Sequence, residues 1–265
     1  MAFLRVMMMG DVMGNPGLTA LEDLLPSFIK EYEADLVVVN GENAADGFGL
    51  TEATLARILA AGADVVTSGN HVWEKREFWP ILDREHRILR PANYPLGTPG
   101  QGWVKFEKAG AAWLVVNLQG RERMSPLDCP FRTFDGIPAS LDREIILVDF
   151  HAEATREKEA LAYYLDGRVS LLAGTHTHVQ TADERVLPQG TGYITDLGMT
   201  GVLEGIIGMD TRICLDRARN QVLYPMKCAQ GSGAIQGIVA QIDACTGKTV
   251  WIQRINTRKA ASVLL

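Results

Sequence analysis

The sequence is short of several things, and each shortage narrows what the chain can be. It has only four cysteines in 265 residues, Cys129, Cys214, Cys228 and Cys245. They are scattered, with no C-x-x-C pair, so neither a disulfide scaffold nor a thiolate zinc site is expected, and a reducing compartment is. There is no run of Lys or Arg, and the net charge is −6, so no extended nucleic-acid surface is expected. No apolar run approaches the ~18 residues that span a bilayer. The apolar stretch Met1 to Gly10 carries Arg5, runs straight into Asp11 and is too short for a secretion signal. The expectation is a cytoplasmic protein without a membrane partner. Small phosphorylated ligands stay open, because a metal ion or a helix N-terminus supplies positive charge locally.

What is present fits a large single domain over residues 1–265. Hydrophobic residues make up 47% of the chain, ample for a core of that size. The first 71 residues repeat one pattern three times. The apolar run Leu4–Met9 ends in Gly10-Asp11, Leu36–Val39 ends in Asn40-Gly41-Glu42-Asn43, and Asp64–Thr67 ends in Ser68-Gly69-Asn70-His71. Helices are expected between them, over Leu18–Tyr32 and from a Thr51 cap to about Ala61. Strand–helix alternation means parallel strands, and ligands of open α/β sheets gather at the C-terminal strand ends. Asp11, Glu42, Asn70 and His71 should therefore converge.

The same pattern returns later. Glu144–Phe150 reads as a strand followed at once by His151, and Thr155 as the N-cap of a helix to Leu165. Val169–Ala173 reads as a strand leading into Gly174-Thr175-His176-Thr177-His178. Two histidines at i and i+2 on an extended segment point the same way. Four of the five histidines thus fall at strand ends. Between these regions, Gly102–Glu107 and Ala112–Leu118 form a hairpin signal. Trp73–Leu82 reads as a short helix or loop with exposed aromatics. Residues 119–142 hold Pro126, Pro130 and Pro138 and read as a long irregular loop or small cap over the site. Ala234–Ile242 and Thr249–Asn256 read as a closing hairpin.

Carboxylates, amides and imidazoles without thiolate suit Mn, Fe, Zn or Co. Six or more ligands exceed what one tetrahedral ion needs. That favours two ions about 4 Å apart, which activate a water as hydroxide and clamp a phosphoryl group.

Gly10-Asp11, Gly41-Glu42-Asn43, Gly69-Asn70-His71, His151 and Gly174-Thr175-His176-Thr177-His178 resemble the ordered motifs of calcineurin-like metallophosphoesterases, most closely their YmdB-type bacterial branch. The resemblance implies a four-layer αββα sandwich with mixed sheets and the metal site at the C-terminal strand ends. It implies Asp11, Glu42, Asn43 and His178 on one metal, and Glu42, Asn70, His151 and His176 on the other, with Glu42 bridging. Two departures from the broad superfamily stand out. Met13 replaces the histidine of Asp-x-His, and Glu42 replaces an aspartate bridge, so that Asn43 fills the position the missing histidine leaves. The resemblance also implies that His71 is no ligand but protonates the leaving oxygen, work suited to an imidazole of pKa ~6.5.

The implied function is a dinuclear metal phosphodiesterase acting on 2′,3′-cyclic nucleotides, with two Fe or Mn ions per chain, Zn as the alternative, and self-association into a homo-oligomer. Alternatives from other classes are a phosphomonoesterase or nucleotidase on the same site, a metal-dependent amidohydrolase, and a nucleotide-binding regulatory module with slow turnover. The amidohydrolase is disfavoured because its His-x-His ends the first strand, whereas here the pair comes late. Met7-Met8-Met9 reads as core, and Gly231–Gly237 as a turn entering a strand rather than a dinucleotide loop. Arg121 and Arg123 read as surface, and Trp73 and Phe78 as core residues or as platforms for a base.

Overall fold

Strand β1 (Phe3–Met9) shows how the architecture is built. Leu4, Val6 and Met8 enter one buried cluster, and Met7 and Met9 enter another. Side chains alternate across a strand, so both faces of β1 are covered. The computed structural model describes residues 3–139 and 144–257. The further strands are β2 (Asp11–Val12), β3 (Leu36–Asn40), β4 (Val65–Thr67), β5 (Trp103–Lys108), β6 (Ala111–Gln119), β7 (Glu144–His151), β8 (Leu171–Thr175), β9 (Arg185–Val186), β10 (Gly192–Ile194), β11 (Met199–Thr200), β12 (Gln236–Asp243) and β13 (Thr249–Asn256). The α-helices are α1 (Gly14–Tyr32), α2 (Glu52–Ala60), α3 (Trp79–Arg84), α4 (Pro130–Asp135), α5 (Thr155–Tyr164) and α6 (Thr211–Asn220).

Two mixed sheets form the middle layers. The first runs β13-β12-β1-β3-β4, with β1, β3 and β4 parallel. The second runs β5-β6-β7-β8-β10-β9, with β6, β7, β8 and β10 parallel and antiparallel strands at both edges. Between them lies a cluster that includes Val6, Val38, Trp113, Leu147, Leu171 and Ile238. The outer face of the first sheet packs on α1, α2 and α3 through Leu21, Leu25, Leu55, Ile58 and Ile81. The outer face of the second packs on α4 and α5 through Phe134 and Leu161. The result is the expected αββα order of layers. No described helix is long and apolar enough to cross a membrane.

Several local expectations hold. Thr51 caps α2 with a capping box completed by Thr54, the two hairpins form, and all four cysteines are free. Others need correction. Helix α1 begins at Gly14, four residues before the expected start, and runs through Pro26. Gly-Asn-Pro-Gly looks like a turn by composition. Here Gly17 lets the helix touch β11, since a Cβ would lie 2.3 Å from the Thr200 carbonyl oxygen. Thr155 is not a cap: Ala154 holds that position and offers no side-chain acceptor. Phe78 is fully buried in the core, Trp73 packs against it and Trp79 is half-buried, so this stretch does not present a set of exposed aromatics. Strand β8 starts two residues later than expected and includes Gly174 and Thr175. Helix α6 has no expected counterpart.

The described residues of the segment read as an irregular cap include α4 and are packed onto their neighbours. Its start is pinned to α5, because the buried Glu157 carboxylate accepts the backbone N–H groups of Arg121 and Glu122. Further on, Phe134 and Ile137 pack on the second sheet. Residues 140–142 lie outside the described residues.

Candidate metal centre

The first sheet delivers oxygen atoms. Gly10 has no side chain, and a Cβ there would lie 2.2 Å from the Gly198 carbonyl oxygen. The close approach allows β2 to pair with β11 and buries Asp11 completely. Asp11 Oδ2 accepts the His176 N–H at 3.2 Å, and Oδ1 has no hydrogen-bond partner. After β3, the Glu42 N–H donates to Asn40 Oδ1 (3.1 Å), which fixes the turn. Glu42 Oε1 lies 3.1 Å from His151 Nε2 and accepts Asn43 Nδ2 at 3.3 Å, while Oε2 accepts the His71 N–H at 3.1 Å. Asn43 Nδ2 is also 3.1 Å from His178 Nε2, and its Oδ1 is buried without a partner. After β4, Asn70 Oδ1 lies 3.1 Å from His151 Nε2. Gly69 is what admits that imidazole, since a Cβ there would sit 2.1 Å from its ring.

The second sheet delivers nitrogen. His151 is the last residue of β7 and fully buried. Its Nδ1 faces Thr175 Oγ1 at 2.9 Å, and that hydroxyl donates to Asp149 Oδ1 at 2.7 Å. Asp149 also takes the Thr67 hydroxyl and Asn40 Nδ2. The chain Asp149–Thr175–His151 turns Nε2 inward, as outer carboxylates orient metal-binding imidazoles elsewhere.

The two late histidines do not lie on an extended segment. His176 has φ 101° and His178 φ 63°, both left-handed. Their rings reach the centre from a turn rather than by strand alternation. His176 Nδ1 is 3.0 Å from His151 Nε2, and its Nε2 is 3.4 Å from Glu153 Oε2. His178 Nδ1 donates to the Ile207 carbonyl at 2.9 Å, leaving Nε2 for Asn43. Asp196 holds the residue between them by accepting the Thr177 N–H at 3.1 Å. Lys158 Nζ lies 2.7 Å from that same Asp196 oxygen, with both side chains 1% exposed.

Charge is strongly shifted by this crowding. Burial raises the Asp11 carboxyl to about 6, against the pull of His178 and His151. Burial also opposes ionisation of Glu42, but His151 outweighs it and the carboxyl falls to about 2. Burial would push His151 down, yet Glu42 and Asp11 lift it to about 9. Burial and the neighbouring His151 drive His176 down to about 3.

A cation fits this arrangement. Donor atoms of Glu42, His151 and His176 lie within 4.8 Å of one another. Two of the buried oxygens without partners among the described residues, Asp11 Oδ1 and Asn43 Oδ1, belong to residues hydrogen-bonded into the same cluster. Unpaired buried oxygens are costly unless something positive meets them. Hard oxygen and imidazole donors suit a divalent transition metal.

All eight residues singled out from the sequence are joined in one network: Asp11, Glu42, Asn43, Asn70, His71, His151, His176 and His178. His71 enters through its backbone, and its ring Nδ1 meets Glu74 at 3.2 Å. Met13 is buried beside Met199 and Met209, in an apolar cluster. Sequence reasoning missed Asp149, Thr175, Lys158 and Asp196, which hold the imidazoles in place. It also missed Phe48, whose ring sits edge-on to His71 at 5.0 Å. Trp73 instead packs against Trp79 and Tyr94. A cleft of about 400 Å³ opens over Glu42, Asn43, His71, His176 and His178.

Comparison with known proteins agrees with this geometry. The family model described as YmdB-like protein matches residues 7–255. A 2′,3′-cyclic-nucleotide 2′-phosphodiesterase of Bacillus subtilis (strain 168) is 44% identical over 254 residues, covering 95% of this chain and 96% of its own. The crystal structure of a hypothetical protein from Thermus thermophilus has a TM-score of 0.90 at 43% identity, covering 96% of this chain and 98% of its own. That of a phosphatase from Mycoplasma pneumoniae has a TM-score of 0.91 at 30% identity, covering 97% and 94%. With the ordered motifs, the αββα layers and these relatives in agreement, the chain belongs to the YmdB-like family and has the metallophosphoesterase fold.

Proposed function

We propose that this protein is a dinuclear metal phosphodiesterase that opens 2′,3′-cyclic nucleotides. The observation that carries the reading is the position of Glu42 Oε1, which borders His151 Nε2 on one hand and Asn43 Nδ2 on the other. One carboxylate oxygen thus touches two groups of donors. In this reading Asp11, Glu42, Asn43 and His178 hold one ion, and Glu42, Asn70, His151 and His176 hold the other. Fe or Mn is expected, with Zn as the alternative. When bound, such ions supply Lewis-acid activation of water and of the phosphoryl group.

The chain's own residues orient and protonate. Asp149 and Thr175 lock the His151 tautomer. Asp196 and the Ile207 carbonyl fix the two late imidazoles. His71 has its Nδ1 engaged by Glu74, which leaves Nε2 to donate a proton to the departing oxygen. In the overall reaction water adds to phosphorus, the P–O2′ bond breaks, the 2′-oxygen takes a proton, and a 3′-phosphate remains.

Charge favours a diester over a monoester. Among the described residues lining the cleft are Glu42 and Glu153, and there is no Lys or Arg. A diester carries one negative charge where a monoester dianion carries two, so the diester meets less repulsion there.

The test is elemental analysis of protein purified without added metal, alongside turnover of 2′,3′-cyclic AMP and of bis- and mono-4-nitrophenyl phosphate. About two transition-metal ions per chain, preference for the diesters and 3′-AMP as product are expected. No metal and no turnover after Mn or Fe is supplied would leave a binding module instead. Sedimentation of the same preparation checks the expected self-association.

A further inference from the structure

One wall of the cleft has no part in holding a metal. Phe48, Ile207, Met209 and Met226 line it, next to Asn43, His71 and His178. Behind it Met13, Met199 and Met209 are buried, and Phe48 and Met226 pack on them. Gly47, at φ 89°, lets the Phe48 loop close on this base, because a Cβ there would meet Cys228 Sγ at 2.9 Å and the Met209 methyl at 3.1 Å. Phe48 is therefore a fixed aromatic edge of the cleft.

Ile207 is the unexpected member. Ile206 and Met209 exchange both backbone hydrogen bonds at 2.9 Å, with Ile207 and Gly208 as the central pair of a tight turn. Their φ angles are 49° and 82°, the signature of a type I′ turn. Asn, Asp or Gly is favoured at the first central position, and a β-branched residue at positive φ is a genuine outlier. Burial does not explain the choice, since Ile207 is 51% exposed. The hydrogen bond to His178 does not explain it either, because that bond uses the Ile207 carbonyl, which any residue would supply. Strain of this kind collects where a side chain is needed at a functional site.

We propose that this wall seats the planar organic part of the ester, the face of a nucleobase, with Phe48 and Ile207 as its contact residues. The proposal rests on the phosphodiesterase reading for where the phosphate lies. The four side chains of the wall offer no strong donor or acceptor to read a base edge. Recognition is by the π-face and by apolar area, so all four bases are accepted and purines bind somewhat better than pyrimidines.

The experiment compares 2′,3′-cyclic AMP with the base-free 2′,3′-cyclic phosphate of 1-O-methylribose on the metal-loaded protein. In the wild type the base lowers KM by about ten-fold or more. Phe48→Ala removes most of that ratio. Ile207→Gly lowers the ratio several-fold and at the same time raises Tm by about 2–4 °C, because glycine relieves the turn. Mere structural damage would lower Tm. Calorimetric binding of 3′-AMP against ribose 3-phosphate reads the wall without turnover. A base contribution that Phe48→Ala abolishes, in a protein that hydrolyses neither cyclic phosphate, would sink the enzyme reading and keep the wall. Equal binding of the two ligands by the wild type, or a Phe48→Ala effect equal for both substrates, overturns the proposal.

Discussion

The two sheets contribute unlike halves of the centre. In the proposed centre the oxygen donors come from the side of the first sheet: Asp11 in β2 directly after β1, Glu42 and Asn43 after β3, Asn70 after β4. The proposed nitrogen donors come from the second: His151 at the end of β7, His176 and His178 after β8. Neither half alone offers a complete site, so the centre exists only where the inter-sheet cluster holds the two edges together. The halves are also secured differently. On the oxygen side Gly10 and Gly69 allow close approach, and the donors follow their strands directly. The nitrogen side depends on buried polar groups, with Asp149 behind His151 and the Lys158–Asp196 pair behind the left-handed turn. Buried charge is thus concentrated on the nitrogen side, and Asp149 there also ties in Thr67 and Asn40 of the first sheet.

The largest effect should come from cutting the seam itself. Glu42→Gln keeps the shape but removes the charge that borders both donor groups. We expect turnover to fall by about 10³-fold or more, with metal content reduced and the fold intact by circular dichroism. Turnover within ten-fold of wild type would show that the halves work independently. Next comes the support of the nitrogen half. Lys158→Met leaves Asp196 buried and uncompensated, a change that costs about 3–5 kcal/mol. Urea unfolding measures this loss, and metal affinity should fall with it because Asp196 holds the Thr177 N–H. A smaller effect is expected for Asp149→Asn, which weakens the brace behind His151 without emptying it. Metal affinity should drop about 10–100-fold by titration of the apoprotein. Unchanged affinity would mean that Gly69 and the strand end position His151 without help.

The same contrast decides what could be read from the sequence. The oxygen half was legible because each donor follows an apolar run and a glycine, so residue type and position coincide. The nitrogen donors were legible by type alone. His-x-His pointed to the right residues, and both imidazoles do reach one small volume, though from left-handed turns rather than by strand alternation. The supports were not legible. Asp149 sits inside an apolar strand, and Lys158 reads as an ordinary exposed helix residue. Asp196 is its partner only across 38 positions of sequence. Pairing that buries charge at long range leaves no local signal. Helix α6 was missed for a related reason. It buries none of its residues, so no apolar stripe marks it. Phe48 was overlooked because a loop aromatic gains meaning only from what packs behind it, here a methionine cluster drawn from distant segments.

The smallest predicted effect tests whether buried charge is special to the nitrogen half. Behind the oxygen half, α1 and α2 are joined by Arg57 and Glu22, bonded through two parallel contacts of 2.7 Å. The geometry is as good as that of Lys158–Asp196, but the side chains are 35% and 36% exposed. Water screens such a pair, so Glu22→Gln should cost no more than about 1 kcal/mol at neutral pH. The hydrogen bond from Arg57 lowers the Glu22 carboxyl below its ordinary value of 4.5, with burial opposing it. A lowered carboxyl stabilises the fold above its unfolded value, and that contribution is lost as pH falls through the folded one. The difference between wild type and Glu22→Gln should therefore be constant above about pH 5 and shrink on acidification, as urea unfolding at several pH values would show. A loss as large as that of Lys158→Met would mean that both halves of the centre are braced by charge, and the contrast between the sheets would fail.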